Sequence, residues 1–373
     1  MKVLYLVPDD GFFWSHRRDL AATVLKTGCE VLVATPEGSY RERIEADGFG
    51  FRPVRMSAGL SPLGMARTFL DLLRLYRAER PDLVHHVSMR SVLAGGLVAR
   101  VTRVPSVVNL ICGLGWVFSS GSRGLRSWVS WAYRLSLANK RSWTVFQNPD
   151  DKQQFLDRGL VSDSRSSVIL GSGVETRGFQ STPEPEGPPS ILFASRMLEP
   201  KGVADLVEAG RLLQQAGVEH TIVLAGEPDA KNPSSISKET LEAWVDEGLV
   251  RWLGHVDDVP ALLGDCHLAC LPSYYGEGLP RFLLEAMAAG RPIVTTDTPG
   301  CRELVPNEAS GVLVQPRKPD ELAAALGRLI SDEQGRREMG RAGRELVDAH
   351  FTLDSVIAQT LDVYDEITTE DWR

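Results

Sequence analysis

Hydrophobic residues along the chain form short continuous runs, and longer stretches with helical spacing separate these runs. Residues 3–7 and 30–35 are two such runs. Between them the sequence predicts a loop over residues 8–15 and a helix from His16 to Thr27, with Gly28 as its stop. A strand, a helix and a second strand in this order are typical of a βαβ unit, which requires a parallel sheet.

The same alternation continues to residue 178 and starts again at residue 191. Residues 180–190, QSTPEPEGPPS, are rich in proline and glycine and are typical of a linker. We therefore predict an α/β fold with two doubly wound parallel sheets. The predicted divisions are an N-terminal domain over 1–178, a linker over 179–190, a C-terminal domain over 191–349, and a C-terminal helix over 350–373 that packs back towards the N-terminal domain.

A glycine turn stands out in the second predicted domain, in the segment YGEGLPRFLLEAMAAGRPIVTT that begins at Tyr275. It leads into an apolar helix predicted over 282–289 and a buried strand predicted over 293–296. Backbone N–H groups collect where a glycine turn meets a helix, so such a place binds anions. Glu285 lies inside the apolar helix, where a carboxylate is costly unless it meets hydrogen-bond donors. Ribose hydroxyls would supply those donors; the alternative is a glutamate that faces solvent.

Two cations, Arg196 and Lys201, straddle the predicted start of the first helix of the second domain, near Pro200. Their side chains would converge with the free N–H groups of that helix, an arrangement that favours a diphosphate ligand. The alternative is a pair of surface cations without a ligand.

Charge is distributed unevenly along the chain. Residues 1–180 contain 24 Lys and Arg against 16 Asp and Glu, whereas residues 181–373 contain 17 against 33. A basic first half implies an anionic partner, such as a membrane surface or a phosphorylated acceptor. No recognised nucleic-acid-binding motif occurs, so we do not expect nucleic acid as the partner. A solvated basic face without any partner is the alternative.

Residues 125–141 predict a helix that combines basic side chains with tryptophan, including Trp128 and Trp131. Such a helix can lie at a membrane interface, and equally its tryptophans can pack against the sheet, so both interpretations stay open. No segment is long and apolar enough to span a bilayer. The five cysteines form no CxxC pair, which favours a reducing cytoplasm over a disulfide framework.

Ligands of open α/β sheets bind beyond the carboxyl ends of the strands. The loops at 8–16, 85–90 and 112–122 should therefore line one wall of a cleft. No GxGxxG motif follows the first strand, which argues against a dinucleotide in this half. A purely structural role is the alternative for His16 and Arg90. The candidates for the acceptor side in these loops are Ser15, His16, Arg90 and Gly113.

Several motifs occur in a fixed order in the second domain. They are Arg-x4-Lys after a strand, Glu-Gly-Leu-Pro at 277–280, Glu-x7-Glu ending at Glu285, and AMAAGRPIV at 286–294. This set resembles the retaining glycosyltransferases of family 4, which have the GT-B fold of two Rossmann-like domains facing a cleft. The segments GLGW at 113–116 and PGCRE at 299–303 are similar to those of bacterial members that add a sugar to an undecaprenyl-diphosphate-linked acceptor.

The resemblance implies roles for individual residues. Arg196 and Lys201 would bind the donor diphosphate and neutralise the leaving group, and together with Glu277 they would form the catalytic set. Glu277 would also hold the donor sugar, and Glu285 would hold the ribose. The other donor-binding positions implied are Gly226, Gly254, His255, Val256, Gly276, Gly278, Leu279 and Pro280.

The resemblance further implies a UDP-N-acetylhexosamine donor, a lipid-diphosphate-linked saccharide acceptor, and a peripheral place on the cytoplasmic face of the inner membrane. Positioning and charge neutralisation suffice for such a transfer. We therefore expect no metal and no cofactor besides the UDP-sugar. Many family members carry a histidine near the sugar, but around Cys112 and Gly113 this chain has none. The alternatives are a transferase with a soluble acceptor and a catalytically silent nucleotide-sugar-binding protein.

Overall fold

The computed structural model describes residues 1–56, 62–113, 123–139, 141–179, 181–230, 232–368 and 372, although not the side chains of 62 and 123–128. The chain divides into two compact units. Met1–Ser172 and Val356–Arg373 form the first unit, and Gly173–Ser355 form the second. Each unit is a parallel sheet flanked by helices. The predicted α/β fold with two doubly wound parallel sheets is therefore confirmed.

Within the described residues, seven strands form the sheet of the first unit, and every neighbouring pair is parallel. The strands are β1 (Lys2–Leu6), β2 (Glu30–Thr35), β3 (Gly50–Pro53), β4 (Leu83–Val87), β5 (Ser106–Ile111), β6 (Ser142–Phe146) and β7 (Ser166–Val168). Their order in the sheet is β3-β2-β1-β4-β5-β6-β7. The chain order therefore reverses between β1 and β4.

Helices connect these strands. They are α1 (Asp10–His16), α2 (Arg18–Lys26), α3 (Arg41–Ala46), α4 (Pro62–Glu79), α5 (Ser88–Thr102), α6 (Arg123–Ser136) and α7 (Pro149–Asp157).

The loop expected over residues 8–15 is wrong, because α1 occupies most of it. Asp9 caps this helix, since its carboxylate accepts a hydrogen bond of 2.7 Å from the backbone N–H of Phe12. The sequence Pro-Asp-Asp-Gly is also typical of a turn, which concealed the cap.

The second unit holds a six-stranded sheet among its described residues, again parallel throughout. Its strands are β8 (Ser190–Ala194), β9 (Thr221–Ala225), β10 (Arg251–Trp252), β11 (Leu268–Leu271), β12 (Ile293–Thr296) and β13 (Gly311–Val314). The order is β10-β9-β8-β11-β12-β13, so the reversal falls between β8 and β11. The helices are α8 (Val203–Gln215), α9 (Lys238–Asp246), α10 (Val259–Gly264), α11 (Arg281–Ala288), α12 (Pro319–Ser331) and α13 (Glu333–His350).

The proline-rich segment before β8 makes fixed contacts within the second unit. The carboxylate of Glu184 accepts two hydrogen bonds from the guanidinium of Arg336, at 2.9 and 2.7 Å, and both side chains are buried. Two parallel N–H···O bonds hold this pair in one geometry.

The last helix, α14 (Leu353–Ile367), begins in the second unit and continues in the first. Its Tyr364 is fully buried: the hydroxyl lies 2.6 Å from Nδ1 of His85 and donates to the hydroxyl of Tyr5 at 3.1 Å. Ser106 donates to the carbonyl of Ile367 at 2.9 Å. Residues from the end of this sequence thus complete the core of the first sheet.

None of the described helices combines the length and the apolar character needed to cross a membrane.

Candidate functional site

The three predicted catalytic residues lie beyond the carboxyl ends of β8 and β11, two neighbouring strands of the second sheet. Arg196 and Lys201 follow β8, and the glycine turn around Glu277 follows β11. The chain order reverses between these two strands, and open α/β sheets bind ligands at such a point.

Lys201 lies on a short 3₁₀ turn, Glu199–Lys201, and α8 begins two residues later at Val203. The helix start expected at or near Pro200 is thus a 3₁₀ turn, and the α-helix itself begins three residues after Pro200. Gly202 separates the two elements because it has φ +76°, and a side chain there would clash with the carbonyl of Pro272. This close approach holds the turn against the end of β11.

Lys201 and Glu277 form a buried ion pair. The Nζ atom of Lys201 lies 2.6 Å from Oε1 of Glu277, and Ser273 donates a hydrogen bond of 2.9 Å to the same oxygen. The ring of Tyr275 lies beneath the ammonium, 5.7 Å from Nζ to the ring centre. Burial is the largest single influence on the pKa of Lys201 and lowers it, but the charge and hydrogen bond of Glu277 together with Tyr275 outweigh burial and raise the pKa above its usual value. The cation is consequently fully charged at neutral pH.

The glycine turn is fixed by the loop after β12. The backbone N–H of Glu277 donates to the carbonyl of Pro299 at 3.1 Å. Gly300 has φ +86°, and a Cβ there would lie 2.6 Å from the carbonyl oxygens of Glu277 and Gly278. The predicted donor residues Gly276, Gly278, Leu279 and Pro280 therefore belong to one closely packed turn.

Glu285 lies on α11 and is buried, with only 9% of its surface exposed. The alternative of a solvent-facing glutamate is therefore wrong. Burial raises the pKa of Glu285, and Arg281, whose Nε donates a hydrogen bond of 2.7 Å to Oε1, opposes that rise. Among the described residues the carboxylate has one protein donor, and it keeps further capacity to accept hydrogen bonds.

Arg196 points towards Asp229 rather than Lys201. Its Nη1 lies 3.1 Å from Oδ2 of Asp229, and 61% of the Arg196 side chain is exposed. The two residues predicted to bind the diphosphate thus differ. Lys201 is buried and paired with Glu277, whereas the side chain of Arg196 is largely exposed to solvent.

A cavity of about 580 Å³ lies beside these residues, which is a size typical of small-molecule sites. Gly226 shapes its floor with φ +134°, because a side chain there would clash with the carbonyl of Ser195. Gly226 also donates a backbone hydrogen bond of 2.6 Å to Gly254. Lys201 and Glu277 are not among the lining residues. The predicted donor residues that do line the cavity are Arg196, Gly226, His255, Val256 and Glu285.

The lining residues that were not predicted include two carboxylates and one aromatic ring: Glu227, Asp229 and Phe282. Phe282 stands one turn before Glu285 on α11, so helical spacing could have revealed it. Asp229 lies beyond the end of β9, and the rule of carboxyl strand ends could have indicated it.

The acceptor-side candidates lie in the first unit. The ring of His16 stacks on Phe12 with ring centres 4.2 Å apart, and its Nδ1 lies 2.7 Å from the hydroxyl of Ser15. Arg90 is exposed in the first turn of α5. Gly113 has φ +90° just after β5. The rest of the predicted loop, residues 114–122, lies outside the described residues.

Comparisons with known proteins agree with this architecture. Residues 14–168 match the family described as "Glycosyl transferase 4-like domain", and residues 174–346 match "Glycosyl transferases group 1". Sucrose-phosphate synthase from Thermosynechococcus elongatus has the same fold, with a TM-score of 0.79, 19% identity, and coverage of 98% of this chain and 99% of that chain. The chain therefore belongs to the glycosyltransferases of the GT-B fold, with a family-4-like first half and a group 1 second half.

Curated relatives are similar over nearly the whole chain. One is the N,N'-diacetylbacillosaminyl-diphospho-undecaprenol alpha-1,3-N-acetylgalactosaminyltransferase of Campylobacter jejuni, 27% identical over 91% of both chains. Another is the UDP-Gal:alpha-D-GlcNAc-diphosphoundecaprenol alpha-1,3-galactosyltransferase of Escherichia coli, 22% identical over 89% of this chain and 88% of the relative. The predicted resemblance to transferases that act on undecaprenyl-diphosphate-linked sugars is confirmed.

Proposed function

We propose that this glycosyltransferase moves an N-acetylhexosamine from a UDP-sugar to a saccharide linked to a lipid diphosphate, with retention at the anomeric carbon. Similarity to the Campylobacter jejuni enzyme over 91% of both chains is the observation that carries the proposal. The name of the Escherichia coli relative supports a UDP-linked donor.

In the proposed reaction the bond between the anomeric carbon and the phosphate oxygen breaks. The acceptor hydroxyl forms the new glycosidic bond on the same face of the sugar, and its proton passes to the departing phosphate. Lys201 stabilises the charge that develops on this phosphate, because its ammonium is buried and already oriented. Glu277 holds Lys201 in place and, with its glycine turn, contacts the donor sugar. No metal or further cofactor takes part in the proposed reaction.

In the proposed complex the nucleotide occupies the cavity beside α11. Glu285 accepts hydrogen bonds from the ribose, since a buried carboxylate with one protein donor gains from further donors. His255 and Val256 contact the base, and Arg196 contacts the diphosphate from the solvated wall.

The proposed location is the cytoplasmic face of the inner membrane. The first half of the chain carries a net positive charge, which favours an anionic lipid surface. Trp131 on α6 supports this location because 59% of its surface is exposed, so most of the side chain does not pack against the sheet.

The test compares Lys201→Ala with Lys238→Ala, using a panel of UDP-sugars and a synthetic prenyl-diphosphate-linked saccharide. Lys238 is a matched control, since its side chain is 65% exposed in a surface pair with Glu242. We expect Lys201→Ala to lower kcat by about 10²–10³-fold, because it removes a preorganised charge from the leaving group. Lys238→Ala should retain wild-type activity.

NMR of the product then determines whether the anomeric configuration is retained. Near-wild-type turnover of Lys201→Ala would contradict the proposed role of Lys201 in stabilising the departing phosphate. Transfer only to saccharides without a lipid diphosphate would contradict the proposed acceptor.

A further inference from the structure

Arg17 is a buried cation of the first unit. It connects α1 and α2, and only 3% of its surface is exposed. Its Nε and Nη2 atoms are buried and have no hydrogen-bond partner among the described residues. No carboxylate lies within ion-pair distance of it in the part of the chain that the structure describes. Burial lowers the pKa of Arg17, and a guanidinium in such surroundings is stable only when an anion meets it.

The place of Arg17 in the fold is a ligand-binding position. It follows β1, and α5 starts directly after β4, the neighbour of β1 in the sheet. The chain order reverses between β1 and β4, as it does between β8 and β11 in the second unit. The segment after β8 in the second unit carries Lys201, which is paired with Glu277. The segment after β1 in the first unit carries Arg17, which no described carboxylate pairs with.

The N-terminus of α5 adds further unpaired donors. This 15-residue helix has no side-chain cap and no acidic residue in its first turn. The hydroxyls of Ser88 and Ser91 are buried there, and no described residue forms a hydrogen bond with them. Ser88 has φ +79°, an uncommon conformation for a residue other than glycine. Free backbone N–H groups at a helix start attract anions.

Cys112, at the end of β5, connects these two features. Burial raises the pKa of its thiol, and both the Arg17 guanidinium and a backbone interaction with Ser88 oppose that rise. The strands β1, β4 and β5 are neighbours in the sheet, so Arg17, the start of α5 and Cys112 all lie beyond the same carboxyl edge. Tyr5 and Tyr364 also influence the pKa of Arg17, but their hydroxyls are hydrogen-bonded to each other.

We propose that Arg17, the first turn of α5 and the hydroxyls of Ser88 and Ser91 form an oxyanion site that binds the diphosphate of the acceptor. A planar guanidinium and a helix N-terminus together suit a phosphate group. The site rests on the proposed function for the identity of its ligand, because a lipid-linked saccharide brings a diphosphate to the first unit. The donor is the other possible source of the same chemical group.

Equilibrium titration of the full-length protein tests the site with three probes: inorganic diphosphate, farnesyl diphosphate and UDP. The variant is Arg17→Gln, and the matched control is Arg18→Gln. Arg18 is the next residue along the chain but is partly exposed and paired with Asp47 at 2.6 Å. We expect Arg17→Gln to weaken the binding of farnesyl diphosphate at least tenfold, with UDP affinity changed less than twofold. Arg18→Gln should bind all three probes as the wild type does.

Thermal unfolding separates ligand binding from a structural role. Farnesyl diphosphate should raise the Tm of the wild type but not that of Arg17→Gln, and the Tm without ligand should not fall. If Arg17→Gln does not fold, the double variant Ser88→Ala/Ser91→Ala replaces it, with a weaker loss of farnesyl diphosphate affinity expected.

Equal affinity of wild type and Arg17→Gln for both diphosphate probes would overturn the proposal. A parallel loss of UDP binding would overturn it too, because the anion would then be the donor's. Diphosphate binding that depends on Arg17 in a protein that transfers no sugar would support the site and refute the proposed function, so the two failures are distinguishable.

Discussion

The ammonium of Lys201 and the carboxylate of Glu277 lie 2.6 Å apart, although they follow different strands of the sheet. Only 13% and 10% of the two side chains are exposed. Charge partners at this burial are strongly coupled, since each one makes the burial of the other tolerable. The pair therefore affects both folding and chemistry, and single substitutions will mix the two effects.

A double-mutant cycle on Lys201 and Glu277 separates these effects. We expect Lys201→Met to lower the free energy of unfolding by about 3 kcal/mol, because it leaves a buried carboxylate without its cation. The double variant Lys201→Met/Glu277→Leu should recover most of that loss while remaining inactive. Urea unfolding gives the stabilities. Additive losses from the two single changes would show that the pair is not coupled in the native state.

The buried carboxyl of Glu285 should make the free energy of unfolding depend on pH. Burial favours the protonated carboxyl, so the native state keeps this proton to a higher pH than the unfolded chain does. The stability it contributes is complete below the ordinary pKa of 4.5 and is lost as pH rises through the raised native pKa. We expect Glu285→Gln to remove this loss, so the variant should gain stability relative to wild type from pH 4 to pH 7. Urea unfolding across that pH range measures the free energy of unfolding of both proteins. A difference between them that does not change with pH would contradict the prediction.

Gly226→Ala should close the floor of the cavity. A methyl group there meets the carbonyl of Ser195 and also forces a strained backbone at φ +134°. We expect a loss of at least about 3 kcal/mol in the free energy of unfolding, together with the loss of UDP binding. Gly248→Ala is the control: φ is +71°, but no atom lies within 4 Å of the added carbon. This control should cost only about 1–2 kcal/mol and bind UDP normally.

Trp131→Ala tests the membrane assignment of α6. The side chain is largely exposed, so its removal should leave the Tm unchanged while lowering the fraction that floats with anionic vesicles several-fold. Val245→Ala, an exposed apolar position on α9 of the second unit, controls for the loss of surface hydrophobicity. Equal flotation of the two variants would indicate that Trp131 does not insert.

Several elements of the fold follow from the sequence because local signals agree with tertiary packing. The strand predicted over 293–296 matches β12, where an apolar run stands between a glycine-proline stop and a loop. The helix predicted over 282–289 differs from α11 by one residue at each end. The burial of Glu285 was one of two stated alternatives, and only the packing of α11 decides between them.

Other features depend on contacts that a single sequence does not reveal. Arg17 and Arg18 are identical residues side by side, yet Arg17 is buried with no described carboxylate to pair with, and Arg18 pairs with Asp47 near the surface. Their difference comes from the junction of α1 and α2, and α1 itself was not predicted. Similarly, the side chain of Arg196 was expected to converge with that of Lys201. It forms an ion pair with Asp229 instead, a residue that lies 33 positions further along the chain.

The return of α14 to the first sheet determines when that sheet can be finished during synthesis. His85 and Ser106 leave the ribosome early, whereas their partners Tyr364 and Ile367 appear only after the whole second unit has been made. The first unit therefore remains incomplete while the second unit is translated. Sheet surface that is exposed during this time can bind chaperones or aggregate. A chain that stops at Ser355 would contain every residue of the second unit but would lack the part of α14 that completes the first.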